Sequence, residues 1–358
     1  MNKVRVLFLP PVDAGNTNAQ SLNVREIALR FNPDRIESTL WYEREPDARL
    51  LHRPGIHLLQ LPSRGKTRRI LKEQLSGLDI IAYMDYSPAS YLLVHIPSLF
   101  RGRTLTVFHA EAPVAQVVNP PRLLQRLIEG VLPNCDVHTG VTEFVSRDVA
   151  GVVGHEVKFI LPVGVDTAFF TPPSERQHAA PTVLFVGTLI ERKGPQHLLN
   201  AATRFPQAMF RIVGAGRDGF ENVLLRKAHE LQLKNLTFEG PRTQGEVLDI
   251  MRQSDIFVLP SRLEGMPKVT LEAAATGLPC LVFRDYQTPS VVDGVTGFQV
   301  GTLDEMLSRL AQLIGEPALR VDMGRKARKH AERFDWNVVS RQWEEAYLEI
   351  ASKREHWA

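Results

Sequence analysis

The chain has 358 residues, of which 44% are hydrophobic, so it is long and apolar enough for two α/β domains that each bury a core. Its 43 Lys and Arg against 40 Asp and Glu leave a net charge of +3, which argues against a basic nucleic-acid-binding protein. The two cysteines, Cys135 and Cys280, lie far apart, which argues against a disulfide framework and against a cysteine metal cluster.

The N-terminal sequence argues against export and membrane insertion. The apolar run in MNKVRVLFLPP is too short for a secretory signal, and no stretch approaches the roughly 20 apolar residues that span a bilayer. We therefore expect a cytoplasmic protein. Residues 64–72 are basic and residues 120–132 are amphipathic. We interpret them as a solvated loop and a helix packed on a sheet, with peripheral contact to the inner membrane face as the alternative.

The first half of the chain alternates predicted strands and helices. Residues 4–9 predict a buried strand, followed by a turn rich in Asp, Gly and Asn and by a helix over residues 19–31, which is a strand–loop–helix unit of the dinucleotide-fold kind. The turn lacks G-x-G-x-x-G, which argues against a nicotinamide dehydrogenase. Further strands are predicted at 38–42, 56–61, 80–84 and 104–108, so we expect a mostly parallel sheet.

A histidine follows the last of these strands. His109 would lie at the carboxyl edge of the sheet, where open α/β folds bind their ligands. Asp85 and Glu111 are expected at the same edge and are candidates for contact with a substrate. A structural role is the alternative for each of these three side chains.

The second half begins after a junction near residues 161–173 and a Pro-rich passage. The sequence PTVLFVGTLIERKGP predicts a buried strand, a glycine turn containing Gly187, and a helix start marked by Gly194. Lys193 is expected at the mouth of a cleft, with a solvated cationic turn as the alternative. Residues 210–219 predict another strand that runs into a glycine turn containing Gly214.

The central stretch, residues 259–279, is LPSRLEGMPKVTLEAAATGLP. A short buried strand is stopped by Pro260, and a helix over residues 269–276 is ended by Gly277. Glu264 therefore lies on the loop and Glu272 on the helix. The helix opening offers backbone N–H groups to phosphate oxygens, whereas a carboxylate suits hydroxyl groups such as those of a ribose.

This stretch resembles the Glu-x7-Glu signature of retaining GT-B glycosyltransferases, the glycosyl transferases group 1 type. The resemblance implies two facing Rossmann-like domains with a C-terminal helix that crosses back to the first. We expect an N-terminal acceptor-side domain at residues 1–163, joined by the returning helix 336–358, and a C-terminal nucleotide-sugar-binding domain at residues 164–335. The match is specific in the second domain and weaker in the first.

The resemblance also implies roles for individual residues. Glu272 would bind the donor ribose, and Glu264 would face the transferred sugar. Thr188 stands where the family has an arginine, and Arg192 is offered as its substitute. The implied catalytic residues are Glu264, His109 and Lys193, and the implied donor-binding residues are Glu272, Lys193, Arg192, Gly265, Met266, Pro267, Lys268, Gly187, Gly214 and Gly15.

The function implied is metal-independent, retaining transfer of a sugar from a nucleoside-diphosphate sugar to an acceptor hydroxyl. No cofactor is expected beyond the donor, for which UDP is preferred over GDP. The acceptor is expected to be a sugar, a lipid-linked molecule or a small molecule. The alternatives are a non-catalytic sugar-nucleotide-binding protein of the same fold and a GT-B-like epimerase or phosphorylase.

Overall fold

The computed structural model of the chain describes residues 3–9, 13–15, 18–62, 69, 77–84, 104–114, 122, 126, 130–175, 180–217 and 219–353. Asp85 and most of residues 64–72 and 120–132 lie outside these ranges. The chain divides into two compact units, the first formed by Met1–Val163 with Trp336–Ala358 and the second by Gly164–Asp335.

The first unit contains a seven-stranded parallel sheet in the order β3-β2-β1-β4-β5-β6-β7. The central strands are buried because their side chains are almost all apolar, as the sequence predicts for a parallel sheet covered on both faces. The strands are β1 (Val4–Phe8), β2 (Ile36–Tyr42), β3 (Ile56–Gln60), β4 (Ile80–Tyr83), β5 (Leu105–Ala110), β6 (Val137–Gly140) and β7 (Phe159–Ile160).

Two helices of the first unit begin at residues that cap them with a side chain. Asn18 accepts from the backbone N–H of Ser21 at 2.8 Å and opens α1 (Ala19–Ala28). Thr142 caps α2 (Glu143–Val153), which ends at Gly154 with a φ of +79°.

The C-terminal helix also belongs to the first unit, as the resemblance predicts. In this helix, Trp336–Ser352, the indole N–H of Trp343 donates to the carbonyl oxygen of Pro162 at 3.1 Å. The ring of Tyr347 lies 6.1 Å from that of Phe8 and 6.2 Å from that of Phe31. Burial of these aromatic rings packs the last helix against the seven-stranded sheet of the first unit.

The second unit contains a six-stranded parallel sheet in the order β10-β9-β8-β11-β12-β13. Its strands are β8 (Thr182–Val186), β9 (Met209–Val213), β10 (Leu236–Gly240), β11 (Ile256–Leu259), β12 (Cys280–Phe283) and β13 (Gly297–Val300). Its helices are α3 (Gln196–Arg204), α4 (Phe220–Glu230), α5 (Gln244–Arg252), α6 (Lys268–Ala275), α7 (Leu303–Gly315) and α8 (Pro317–Ala331), so that the C-terminal helix is α9.

The predicted architecture of two Rossmann-like parallel sheets with a returning last helix is therefore confirmed. No helix among the described residues combines the length and the apolar character that crossing a membrane requires.

Candidate active site

Two loops of the second unit meet at the carboxyl edge of its sheet. One follows β8 and contains a short 3-10 turn, Glu191–Lys193, and the other follows β11 and carries Glu264. Gly194 allows the approach: its φ is +74°, and a Cβ there would lie 2.3 Å from the carbonyl oxygen of Pro260. Only glycine fits a position that combines this φ with such a close backbone contact.

Three donor groups contact the carboxylate of Glu264. Its Oε1 lies 3.1 Å from Nζ of Lys193 and 3.4 Å from Nη1 of Arg192, and it accepts from Oγ of Ser261 at 2.8 Å. The Glu264 side chain is 13% exposed and that of Lys193 is 19% exposed. Two cations and one carboxylate leave one positive charge in surplus, which favours an anionic ligand.

Backbone contacts hold the two loops together around this cluster. The N–H of Arg262 donates to the carbonyl oxygen of Arg192 at 3.3 Å, and Oγ of Ser261 lies 3.4 Å from the same oxygen. Nη1 of Arg192 donates in return to the carbonyl oxygen of Leu263. The structure thus brings Glu264, Lys193 and Arg192 together in one connected group.

The sequence did not identify Ser261 as a site residue. A serine three residues before a loop carboxylate is the signal that would have suggested it, because a tight loop lets a hydroxyl return to that carboxylate.

The helix that follows, α6, opens without an acidic partner. Pro267 precedes it with a φ of −68° and a ψ of 118°, no side chain caps the helix, and its first turn holds no acid but begins with Lys268. This first turn lies beside Gly265 and Met266 in sequence. Uncapped N–H groups and the positive end of the helix dipole make the opening suitable for an anion.

Buried hydroxyl groups fix the first turn of α6. The Thr270 hydroxyl donates to the carbonyl oxygen of Pro267 at 2.7 Å, and it lies 2.6 Å from the hydroxyl of Ser290. Ser290 in turn lies 2.8 Å from the hydroxyl of Thr288. This chain of hydroxyl groups keeps the helix opening in place without a charged side chain.

Glu272 lies in the second turn of α6 and is only partly exposed to solvent. Burial raises the pKa of Glu272 to about 7, although the positive charge of Lys268 acts to lower this pKa. Among the described residues no donor bonds to its carboxyl group. A half-buried carboxyl group that no donor contacts can accept hydrogen bonds from a ligand.

Two predicted donor-binding glycines lie side by side. Gly214 has a φ of +146°, and a Cβ there would lie 1.9 Å from the carbonyl oxygen of Gly187. A Cβ at Gly187 would lie 3.5 Å from Cδ of Lys193. The glycine turns after β8 and β9 therefore pack against each other, next to the stem of the predicted cation.

The other two predicted site residues belong to the first unit. Gly15 donates its N–H to Oδ1 of Asp13 at 2.8 Å, and a Cβ there would lie 1.9 Å from the carbonyl oxygen of Glu45. Gly15 thus has a structural reason to be glycine, and its contact with a donor stays a prediction.

His109 is the next-to-last residue of β5 and is 1% exposed. Its Nδ1 lies 2.8 Å from the hydroxyl of Thr139, and its ring centre lies 4.5 Å from that of Trp343 in the C-terminal helix. Burial lowers the pKa of His109 to about 3, so the ring is neutral. Protein atoms surround this side chain, and its contact with a sugar stays a prediction.

Among the described residues no group of three or more His, Cys, Asp and Glu side chains is arranged to hold a metal ion.

Two parallel sheets with a returning last helix are the architecture of the GT-B fold. Residues 167–330 match the family model "Glycosyl transferases group 1". This match covers slightly less than half of the chain, and the names of similar proteins agree with it in indicating a glycosyltransferase.

Similar proteins carry related names. The chain is 26% identical to a D-inositol 3-phosphate glycosyltransferase of Corynebacterium jeikeium, in an alignment that covers 83% of each chain. It is 29% identical to a GDP-mannose-dependent monoacylated alpha-(1-6)-phosphatidylinositol monomannoside mannosyltransferase of Corynebacterium glutamicum, over 57% of this chain and 60% of that relative.

Solved structures share the fold over almost the whole chain. The sucrose-phosphate synthase of Thermosynechococcus elongatus superposes with a TM-score of 0.84 at 16% identity, covering 98% of this chain and 100% of that chain. Anabaena HepE in complex with UDP-glucose superposes with a TM-score of 0.75 at 17% identity, covering 96% and 98%.

Proposed function

We propose that the protein transfers a sugar from a nucleoside-diphosphate sugar to an acceptor hydroxyl, without a metal ion and with retention of the donor's anomeric configuration. The observation that carries the proposal is the convergence of Lys193 and Arg192 on Glu264, beside the uncapped opening of α6. A departing diphosphate develops negative charge, and these groups supply fixed positive charge for it.

The proposed donor site lies on the second unit. The diphosphate would bind the opening of α6 from Gly265 to Lys268, with Lys193 and Arg192 alongside. Arg192 would thus replace the arginine that the family carries at Thr188. The base would lie against the glycine turns at Gly187 and Gly214.

Glu272 is proposed to bind the donor ribose. No hydrogen-bond donor contacts its carboxyl group among the described residues, and two neighbouring hydroxyl groups of a ribose would each donate to one carboxylate oxygen. The raised pKa of Glu272 means that ribose binding would favour the ionised form.

The names of similar proteins support this class of donor. One solved neighbour contains UDP-glucose, and one relative depends on GDP-mannose. We propose UDP in preference to GDP and no other cofactor. The acceptor is proposed to be a sugar, a lipid-linked molecule or a small molecule. A cytoplasmic location with peripheral membrane contact stays a prediction.

The proposed step balances without an enzymic nucleophile. The bond from the anomeric carbon to the diphosphate oxygen breaks, and its electron pair stays with the diphosphate. The acceptor oxygen attacks the same face of the sugar, and its proton passes to the departing diphosphate. A carboxylate held by Lys193, Arg192 and Ser261 is a poor nucleophile. Glu264 would therefore not attack the sugar, but would orient it and stabilise the positive charge that develops on it.

A panel of donors tests the proposal. UDP-glucose, UDP-N-acetylglucosamine and GDP-mannose are incubated with the protein in EDTA, with and without a mixture of sugar and inositol phosphate acceptors, and nucleoside diphosphate release is measured. Acceptor-dependent release in EDTA is expected. Binding without release would favour the non-catalytic alternative, and a metal requirement would contradict metal-independent transfer.

A further inference from the structure

The loop that carries Glu264 is also held on its other side, by the side chain of Arg262. Nη1 of Arg262 donates to Oδ2 of Asp285 at 2.8 Å and to the carbonyl oxygen of Gly301 at 3.2 Å. Its guanidinium carbon lies 3.8 Å from the centre of the Phe283 ring. These partners stand at the end of β12, in the turn that follows it, and directly after β13.

The backbone of Arg262 makes the opposite connection. Its N–H donates to the carbonyl oxygen of Arg192, in the turn that carries the two cations. One residue therefore joins the Glu264 loop to both of its neighbours, and Glu264 follows only two positions later.

We infer that Arg262 is a positioning residue for Glu264, acting through Asp285 and Phe283; this inference rests on the proposed role of Glu264. A planar guanidinium stacks on a ring with its face while its edge bonds to a carboxylate, and lysine cannot do both. Displacement of a reacting group by about 1 Å is enough to lower a rate by about 10²-fold.

Because the Arg262–Asp285 ion pair is partly exposed, an effect on the position of Glu264 can be distinguished from an effect on folding. The Arg262 and Asp285 side chains are 49% and 37% exposed, and ion pairs at such sites contribute little to the free energy of unfolding. A variant of either residue should therefore fold normally and reveal its effect in turnover.

Arg262→Lys and Asp285→Asn test the inference. We expect kcat to fall about tenfold or more in each, while the donor KM and the calorimetric affinity for UDP and GDP change less than about twofold. The double variant should be no slower than the slower single variant, because both changes break one connection.

Arg284→Lys is the matched control. Arg284 is the neighbour of Asp285, but it bonds to Glu305 at 2.7 Å instead of to the Glu264 loop. Its kcat should equal that of the wild type. If Arg284→Lys lost as much activity as Arg262→Lys, the effect would be a general one and the positioning role would be overturned.

Glu264→Gln, measured in parallel, separates the two proposals. If it is inactive while Arg262→Lys and Asp285→Asn turn over at the wild-type rate, the positioning role fails and the proposed function stands. If Glu264→Gln keeps wild-type turnover, the proposed role of Glu264 fails and the positioning role fails with it.

Discussion

At the scale of single residues, the two glutamates of the central stretch have opposite surroundings. Glu264 is surrounded by donors, with Lys193, Arg192 and Ser261 on one oxygen. Glu272 has no donor among the described residues and is partly buried, which raises its pKa to about 7. Protein groups already hold the Glu264 carboxylate, whereas the Glu272 carboxylate is open to a ligand. Substitution of Glu264 should therefore affect turnover, and substitution of Glu272 should affect donor affinity.

Glu264→Gln should lower turnover and tighten the binding of UDP. Loss of the carboxylate removes a group that orients the sugar, so kcat should fall by at least about 10²-fold. The same change releases Lys193 and Arg192 from an ion pair worth about 1 kcal/mol, so UDP should bind about fivefold more tightly in calorimetry. Glu191→Gln, an exposed acid of the same turn, is the control. Weaker UDP binding in Glu264→Gln would contradict this account.

Glu272 should make donor affinity depend on pH. Burial raises the pKa of Glu272 to about 7, so the carboxylate that accepts two ribose hydroxyl groups forms as the pH rises through that value. Affinity for UDP should therefore increase from pH 6 to pH 8. Glu272→Gln should remove this dependence and weaken binding by about 1.5–3 kcal/mol. The same pH profile in the variant would assign the titration to another group.

At the scale of elements, the predicted strands and the opening of α6 agree with the structure because they depend on local sequence. Continuous apolar runs predict buried parallel strands, and the Pro and Gly at its ends predict a short helix. Contacts between distant segments could not be predicted in this way. Arg192 and Glu264 are 72 positions apart, and the close approach of the two loops at Gly194 allows them to meet.

Gly194→Ala tests this approach of the two loops. The substitution places a Cβ at a φ of +74° and 2.3 Å from the Pro260 carbonyl oxygen. Together these should lower the free energy of unfolding by about 2–4 kcal/mol and reduce activity. Gly294→Ala has a similar φ of +70° and open space at its Cβ, so it should cost only about 1 kcal/mol. Equal losses in chemical denaturation would show that the contact with Pro260 is unimportant.

His109 has a packing partner that no local pattern in the sequence indicates. The sequence places it at the ligand edge of a strand, but the structure packs it against Trp343, a residue of the last helix that no local rule connects to β5. Its burial lowers the pKa of His109 to about 3, whereas in the unfolded chain the value is near 6.5. As the pH falls, the His109 ring therefore binds a proton in the unfolded chain before it does so in the folded chain. The free energy of unfolding decreases as the pH falls from about 6.5 towards 3.

His109→Gln should remove this dependence. From pH 7 to pH 5 the wild type should lose about 2 kcal/mol of unfolding free energy that the variant keeps, because glutamine does not titrate. Urea denaturation at both pH values measures the difference. Equal losses in the two proteins would mean that His109 is not a neutral core residue in solution.

At the scale of the whole molecule, sequence similarity to known families is concentrated in the second unit, whereas structural similarity extends over both. The family match covers residues 167–330, which lie within the second unit, whereas the structural similarity to sucrose-phosphate synthase covers 98% of the chain. A parallel sheet tolerates many apolar sequences, but a diphosphate site needs particular residues at particular turns. Sequence motifs therefore indicate the proposed donor site in the second unit, but they do not indicate the proposed acceptor site in the first.

The anomeric configuration of the first product, determined by proton NMR for a reaction run in EDTA, tests the central claim most directly. With an α-linked donor such as UDP-glucose or GDP-mannose, we expect an α-linked product formed at the same rate with and without EDTA. A β-linked first product, or transfer that stops in EDTA and resumes with magnesium or manganese, would contradict a site in which Glu264, Lys193, Arg192 and the opening of α6 do this chemistry without a metal ion.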